Sequence, residues 1–313
     1  MILTISLNPA VDKTAVCDRL VPGQLNRLSA VQICPGGKGI NVSRALNCLG
    51  EEVCAMGFIG GGTGEYIKNA LEKSGIRTAF TLTDKNTRTN LNVISDEGYI
   101  TEILEPGHTP RDYQVADFLE KYRTELKKAS IVVISGSLPD GMETGFYRTL
   151  IEEAKAEGRR VIFDSSGEAM REGVEALPYM IKPNIREFEY ILGRGFYEPD
   201  DIARAAGELI RRGIERVAVS MGARGMVYVT KDVSMYAQAP RLNAINTVSC
   251  GDAAVAAFAY SLLRNLKDEE TLIKAVAVSA AAALSEESGL FLPEDESRFA
   301  GRIEINKLWE KSD

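Results

Sequence analysis

The chain predicts an α/β fold: a mostly parallel central sheet with helices on both faces, plus a small β-sheet lid. Three observations predict it. Strand-like and helix-like segments alternate, and from about residue 110 to 230 the order is β-α-β-α-β, which calls for a parallel sheet. The strand segments there are short, continuous apolar runs, as in strands covered on both faces. Two segments, about 9–35 and 86–105, break this rhythm and look β-rich.

The elements follow in order. Leu3, Ile5 and Leu7 alternate with Thr4 and Ser6 in an opening strand, and Asp12, in Asn8-Pro9-Ala10-Val11-Asp12, is expected where that strand ends and the lid begins. Pro35-Gly36-Gly37-Lys38-Gly39-Ile40-Asn41 leads into a helix with the stripe Val42, Ala45, Leu46 and Leu49. Gly57-Phe58-Ile59-Gly60-Gly61-Gly62-Thr63-Gly64-Glu65 reads as a turn between a strand and a helix. Thr87–Ile94 and Tyr99–Leu104 form a hairpin about the turn Asp96-Glu97-Gly98. Helical stripes recur at Val115, Phe118, Leu119, Tyr122 and Leu126, at Tyr147, Leu150, Ile151 and Ala154, and at Ile202, Ala205, Ala206 and Leu209. Strands are expected at Ile131–Ile134, Val161–Phe163, Tyr179–Ile181 and Arg216–Val219. The tail from Glu310 to Asp313 is polar and expected to be a solvated helix end. Residues 1–313 are expected to form a single domain, its lid built from about 9–35 and 86–105.

Composition removes several classes. A net charge of −7 and a pI near 5.1 leave no broad basic face for nucleic acid, so local lysines and arginines beside glycines become informative. The five cysteines are scattered without a CxxC pair, which argues for reduced thiols and against a zinc site. His108 is the sole histidine, in the turn-like Glu105-Pro106-Gly107-His108-Thr109-Pro110, so a Ser-His-Asp or Cys-His enzyme is a poor candidate. The opening residues lack a basic start and a long apolar core, so no signal peptide is expected. No apolar run approaches the ~18–20 residues of a membrane span. A cytoplasmic protein without a membrane partner is the expectation.

The chemistry points to one turn. Asn246-Thr247-Val248-Ser249-Cys250-Gly251-Asp252 runs into the small-residue helix Ala253-Ala254-Val255-Ala256-Ala257-Phe258. The first amides of a helix have no partner along it and its dipole is positive there, so the turn is an anion site. A carboxylate beside an anion site is an odd pairing unless the acid has work to do. A phosphate on the amides, with Asp252 taking a proton from an attacking hydroxyl, makes phosphoryl transfer the economical reading. A Walker A loop is excluded because Gln32 and Gly39 stand where it needs glycine and Ser or Thr. A GxGxxG begun at Gly60 fails at Glu65. Ser135-Gly136-Ser137-Leu138-Pro139, Asp164, Lys182-Pro183-Asn184-Ile185-Arg186-Glu187 and Ser220-Met221-Gly222-Ala223-Arg224-Gly225 all fall at strand carboxyl ends, the edge where this architecture keeps ligands.

These residues resemble the PfkB carbohydrate kinases of the ribokinase-like superfamily over nearly the whole chain. Gly36-Gly37-Lys38-Gly39-Ile40-Asn41 is similar to the family's first signature and Asn246–Asp252 to its second. Ser220-x-Gly222-x-x-Gly225 and Asn184-x-x-Glu187 resemble its nucleotide and magnesium motifs. Leu7–Asp12, Leu25-Asn26-Arg27, Thr87-Arg88-Thr89-Asn90 and Ser285-Glu286-Glu287-Ser288-Gly289 are similar to the ketohexose-phosphate kinases, with 1-phosphofructokinases fitting best and tagatose-6-phosphate kinases next.

The resemblance implies ATP and Mg²⁺, with fructose 1-phosphate as acceptor, tagatose 6-phosphate as the alternative and a 6-phosphofructokinase as a lesser one. Asp252 is then the general base, with the amides of Ser249, Cys250, Gly251 and Asp252 holding the transferring phosphoryl. Asp12, Gly37, Asn41 and Ser137 bind the sugar, with Gly36 and Asn90 in the same substrate site. Lys38 and Arg88, with Arg27, hold the phosphate the sugar already carries. Lys182, Asn184, Ser220, Gly222, Gly225, Ser279, Ala280 and Ala283 line the ATP site. Glu187 acts on Mg²⁺, and the lids pair two copies into a homodimer. The family's turn reads Gly-Ala-Gly-Asp or Gly-Ser-Gly-Asp, whereas this chain has Ser249 and Cys250. A serine forced to positive φ there would be strained by ~1 kcal/mol or more. Cys250 raises the idea of redox sensitivity. A nucleoside or unphosphorylated-sugar kinase is disfavoured by Lys38 and Arg88, and a sugar-phosphate sensor without turnover is the rival outside enzymology.

Overall fold

The computed structural model describes residues 1–95 and 99–311. The expected turn Asp96-Glu97-Gly98 and the last two residues of the tail lie outside the described residues. The central sheet has eleven strands. From one edge they run Ile305–Glu310, Val233–Ala237, Met226–Thr230, Arg216–Ser220, Met180–Ile181, Arg160–Asp164, Ile131–Ser135, Ile2–Ser6, Val53–Gly60 and Arg77–Thr78, with Thr81–Thr83 also pairing to Val53–Gly60. Neighbours from Arg216–Ser220 to the Arg77 edge are parallel, while the three strands beyond Arg216–Ser220 are antiparallel.

The antiparallel edge was not expected. Its last strand, Ile305–Glu310, replaces the solvated helix end expected at Glu310. Backbone pairing with Val233–Ala237 decides that conformation, and nothing in the short polar tail shows the partner.

Alternate residues of the central strands feed two cores. Ile2, Ile131, Ile162 and Met180 pack with the helices Lys38–Cys48, Cys250–Arg264 and Asp268–Ala282. Leu3, Ile5, Val132, Ile134 and Phe163 pack with Asp112–Leu126, Phe146–Ala156 and Pro199–Arg212. Thr4 and Ser6 are buried rather than solvated, because this strand is covered on both faces. Thr4 Oγ1 bonds Ser43 Oγ at 2.7 Å and donates to the Cys54 carbonyl at 3.3 Å.

The helix Lys38–Cys48 therefore lies close over the first strand. A Cβ on Gly39 would stand 2.7 Å from the Ile5 carbonyl oxygen, so glycine is what permits that approach.

The lid is a four-stranded sheet ordered Ala30–Gly36, Ala10–Cys17, Thr89–Ser95 and Ile100–Leu104. Asp12 lies within a lid strand, paired with Cys34 and Asn90, not at the end of the opening strand as the sequence suggested. The opening strand stops at Ser6, and Asn8-Pro9 carries the chain into the lid.

Candidate active site

The strand ends named in the sequence meet at one edge of the sheet, against the start of the helix Cys250–Arg264. They enclose a cavity of about 720 Å³ lined by Lys182, Asn184, Ser220, Gly222, Gly225, Ser279, Ala280 and Ala283, the whole set expected for ATP. Lys38, Glu187, Cys250, Gly251 and Asp252 line its inner end. Asp164, Val276 and the segment Gln238–Leu242, with Arg241, also line it, and no sequence motif assigned them there. Asp164 had been seen only as a strand-end residue. The Gln238–Leu242 segment follows the antiparallel edge, which the sequence did not show.

Asp252 is the third residue of its helix and is almost fully buried. Asn41 Nδ2 donates to its Oδ2 at 2.9 Å. Burial pushes the Asp252 carboxyl up to about 7, against the pull of Lys38, with Asp164 adding to the rise. Burial lowers Lys38, but the carboxylates of Asp164, Glu187 and Asp252 outweigh it and hold the ammonium firmly charged. Lys38 Nζ stands 3.4 Å from Glu187 Oε1 and 3.6 Å from Asp164 Oδ1. Lys182 Nζ, 3.8 Å from Asp164 Oδ1, is so close to the turn that a Cβ on Gly251 would lie 3.5 Å from it. Two ammonium groups and the helix end thus converge where a phosphoryl group would move, with one carboxylate poised beside them.

The turn is not strained. Ser249 has φ −104 and ψ 10, so the positive φ feared for a serine in place of glycine is not used. Ser249 stands behind the cavity, not on its lining. The Cys250 amide donates to the Thr247 carbonyl at 3.4 Å, which leaves Gly251 and Asp252 at the helix's open end. Burial pushes the Cys250 thiol up to about 11, with the Asp252 charge adding to it. It stays a thiol near neutrality, the opposite of a reactive thiolate.

The substrate set lies on the other side of Asp252. Asn90 Nδ2 donates to Asp12 Oδ1 at 2.8 Å, and burial raises the Asp12 carboxyl above its ordinary value against that bond. The Oδ1 atoms of Asn41 and Asn90 are buried without a hydrogen-bond partner. Buried acceptors without donors suit the hydroxyls of a bound sugar. A Cβ on Gly36 would meet Asp12 Oδ2 at 2.0 Å, and Gly37 has φ +97 with Pro9 close by, so both glycines are needed for the lid to reach the helix start. Ser137 Oγ accepts from Asn8 Nδ2 at 3.3 Å.

Lys38 and Arg88 do not share one pocket. Arg88 lines a separate small cleft with Asn8, Thr87 and His108, and its guanidinium donates to the carbonyls of Asn8 and Glu105. Arg27 is exposed on the loop joining two lid strands, away from both cavities.

Glu187 is also a helix cap. Its Oε2 accepts from the Asn184 amide at 2.8 Å, while its own amide donates to Asn184 Oδ1. Its Oε1 is the oxygen that meets Lys38. Among the described residues no three His, Cys, Asp or Glu side chains gather into a cage for a metal. Mg²⁺ keeps most of its water and takes one or two carboxylates together with phosphate oxygens, so Glu187 and Asp164, whose Oδ1 makes ion pairs but no hydrogen bond, are compatible with it. Arg44 ends the glycine-rich motif that begins at Pro35, but sequence reasoning assigned it no role. It is buried on the helix of Asn41 and donates to the carbonyls of Pro35 and Ser288.

A parallel-sheet edge, a buried carboxylate at a helix start, a nucleotide-sized cavity and buried unpaired acceptors on the helix and the lid fit a kinase acting on a sugar hydroxyl. Comparison with known proteins agrees. Residues 5–295 match the pfkB family of carbohydrate kinases, and the chain belongs to that family. It is 36% identical over 289 residues to a 1-phosphofructokinase of Bacillus subtilis, covering 92% of this chain and 94% of that one. It is 35% identical over 292 residues to a tagatose-6-phosphate kinase of Staphylococcus epidermidis, with the same coverage of 92% and 94%. Phosphofructokinase-2 of Escherichia coli, solved with substrates and products, superposes with a TM-score of 0.89 at 31% identity over 96% of this chain and 98% of that one. The protein is a sugar-phosphate kinase of the 1-phosphofructokinase and tagatose-6-phosphate kinase type, and sugar kinases of this family use ATP and Mg²⁺. Among the described residues no helix is long and apolar enough to cross a membrane.

Proposed function

We propose that the protein transfers the γ-phosphoryl group of ATP to the free primary hydroxyl of fructose 1-phosphate, giving fructose 1,6-bisphosphate and ADP. The observation that carries this is Asp252: buried, raised to about 7, bonded to Asn41 on the sugar side and facing Lys38 on the nucleotide side. Its carboxylate takes the proton as the acceptor oxygen forms its bond to phosphorus and the bond to ADP breaks. A base with this pKa is half ionised near neutrality, which suits proton acceptance at physiological pH.

Phosphoryl transfer asks mainly for position and charge. Lys38, Lys182 and the amides of Gly251 and Asp252 are aimed at the moving group. Asp12, Gly36, Gly37, Asn41, Asn90 and Ser137 take the sugar. Lys182, Asn184, Ser220, Gly222, Gly225, Ser279, Ala280 and Ala283 take the nucleotide. Glu187, with Asp164, would hold Mg²⁺, which would supply positive charge beside the ATP phosphates. Arg88 meets the phosphate already on the sugar.

The chain works as one unit over residues 1–313 and pairs through its lid. Ile33, Lys13, Leu91 and Ile103 form one row across the four lid strands, and Ile33 and Ile103 are about half exposed, at 48% and 53%. Exposed apolar residues on a sheet face suit a second copy. A cytoplasmic setting fits the unpaired cysteines.

A coupled ADP-release assay with fructose 1-phosphate, tagatose 6-phosphate, fructose 6-phosphate, ribose and adenosine tests the substrate. Fructose 1-phosphate should give the highest kcat/KM. A preference for tagatose 6-phosphate, which the second relative makes the competing reading, replaces the substrate and leaves the chemistry. Binding of every sugar without ADP release points to a sensor.

A further inference from the structure

Ser249 stands where the family's turn carries glycine, and its hydroxyl does not cap its own helix. Ser249 is 1% exposed, and its Oγ accepts a 2.8 Å hydrogen bond from the amide of Gly289. Gly289 has φ +76, and a side chain there would lie 2.9 Å from both Cα and the carbonyl oxygen of Asn41. Its backbone therefore rests directly on Asn41. The loop Ser285–Gly289 is fastened from the other side as well. Arg44, one turn along the helix from Asn41, donates to the Ser288 carbonyl and pairs with Glu287. Asn246 Nδ2 donates to the Glu286 carbonyl at 3.3 Å, and Asn246 Oδ1 accepts from the Val248 amide at 2.9 Å.

These contacts close a ring. Asn41 donates to Asp252, Asp252 is one turn from Ser249, Ser249 accepts from Gly289, and Gly289 lies against Asn41. We propose that Ser249 is a positioning residue: through Gly289 its hydroxyl clamps Asn41 against the carboxylate of Asp252. The inference rests on Asp252 being the general base. Without the hydroxyl, the Gly289 amide stays buried with no acceptor, and the loop gains by moving off Asn41 to find one. Small misplacements of a reacting pair are costly in rate, so the effect belongs in kcat.

The test uses Ser249→Gly, which restores the family residue and so should fold, with Ser249→Ala and Ser249→Thr. Folded molecules are counted by binding of a non-hydrolysable ATP analogue, and kcat, both KM values and the pH profile are measured with the preferred sugar phosphate. The Gly and Ala variants should lose about tenfold in kcat, with KM for ATP unchanged, and Thr should restore the rate. The acid limb should also move to higher pH, since Asn41's bond helps hold Asp252 ionised. The other groups facing Asp252, namely Lys38, Asp164 and Lys182, are untouched by these changes. Unchanged kcat and acid limb in both Gly and Ala variants overturn the clamp, as does a lower kcat that Thr does not restore. Asp252→Asn, run alongside, separates the two ideas: its inactivity beside normal Ser249 variants sinks the clamp alone, whereas its normal turnover sinks the base.

Discussion

Asp252 destabilises the fold that positions it. Its folded pKa of about 7 lies above the ordinary 3.8, so the folded state holds a proton that the unfolded chain releases between those values. Stability from this group is fully present below the ordinary value and is lost as pH rises through about 7. Three pH units correspond to roughly 4 kcal/mol, an order-of-magnitude figure. Asp252→Asn should therefore be more stable than the parent by a few kcal/mol in thermal melts at pH 8, with the gap closing by pH 4. The same variant should lose about 10²–10⁴-fold in kcat while keeping both substrates bound. A parent kcat/KM that stays flat from pH 8 down through pH 6 would contradict the assigned base. Arg88→Ala should raise KM for the sugar phosphate well above any change for ATP, because its cleft lies outside the nucleotide cavity. Equal changes in both KM values would remove Arg88 from the phosphate site.

At the scale of elements, the helix Lys38–Cys48 does most to join the two substrates. It carries Lys38 toward the nucleotide side, Asn41 toward Asp252, and Arg44 toward the loop Ser285–Gly289. Its closeness to the first strand and the lid depends on glycine at two separate points. Gly39→Ala would drive a methyl to 2.7 Å from the Ile5 carbonyl, so it should lower stability by about 1–3 kcal/mol in denaturant unfolding. Gly36→Ala would instead displace the Asp12 carboxylate, 2.0 Å from the new Cβ. Its expected signature is a raised KM for sugar with KM for ATP preserved. Equal damage to both substrates would mean that the glycine serves the fold rather than the lid.

For the whole molecule, the lid is where the proposed pairing of two copies is tested. Ile33 and Ile103 share a row on it and remain half exposed. A charge in the middle of an apolar interface is costly to bury. Sedimentation should show a dimer for the parent and a monomer for the doubly substituted Ile33→Glu/Ile103→Glu chain. A parent that sediments as a monomer at assay concentrations would end the lid-dimer proposal.

Much of this was legible in the chain. Short apolar runs between helical stripes gave the parallel body, because strands buried on both faces are mostly apolar, with the exceptions Thr4 and Ser6 in the opening strand. Period-two segments outside that rhythm gave the lid. The glycine and Asp252 turns were legible because close approach and an anion hole need those residue types at those spacings. Other features depended on partners distant in sequence. The strand at Ile305–Glu310 exists because Val233–Ala237 pairs with it. Asp12 sits inside a lid strand, not at the end of the opening one, because Cys34 and Asn90 flank it. Lys38 and Arg88 read as one phosphate clamp, yet each faces a different cavity, since basic residue type sets charge but not direction. Ser249 looked strained from family spacing alone, and its relaxed φ and bond to Gly289 came from a loop forty residues on. Sequence by itself determined the fold class and the kinase chemistry, because periodicity and turn chemistry are local. Tertiary structure alone decided which of those residues face one another, because burial, pKa and hydrogen-bond partners arise only when distant segments pack.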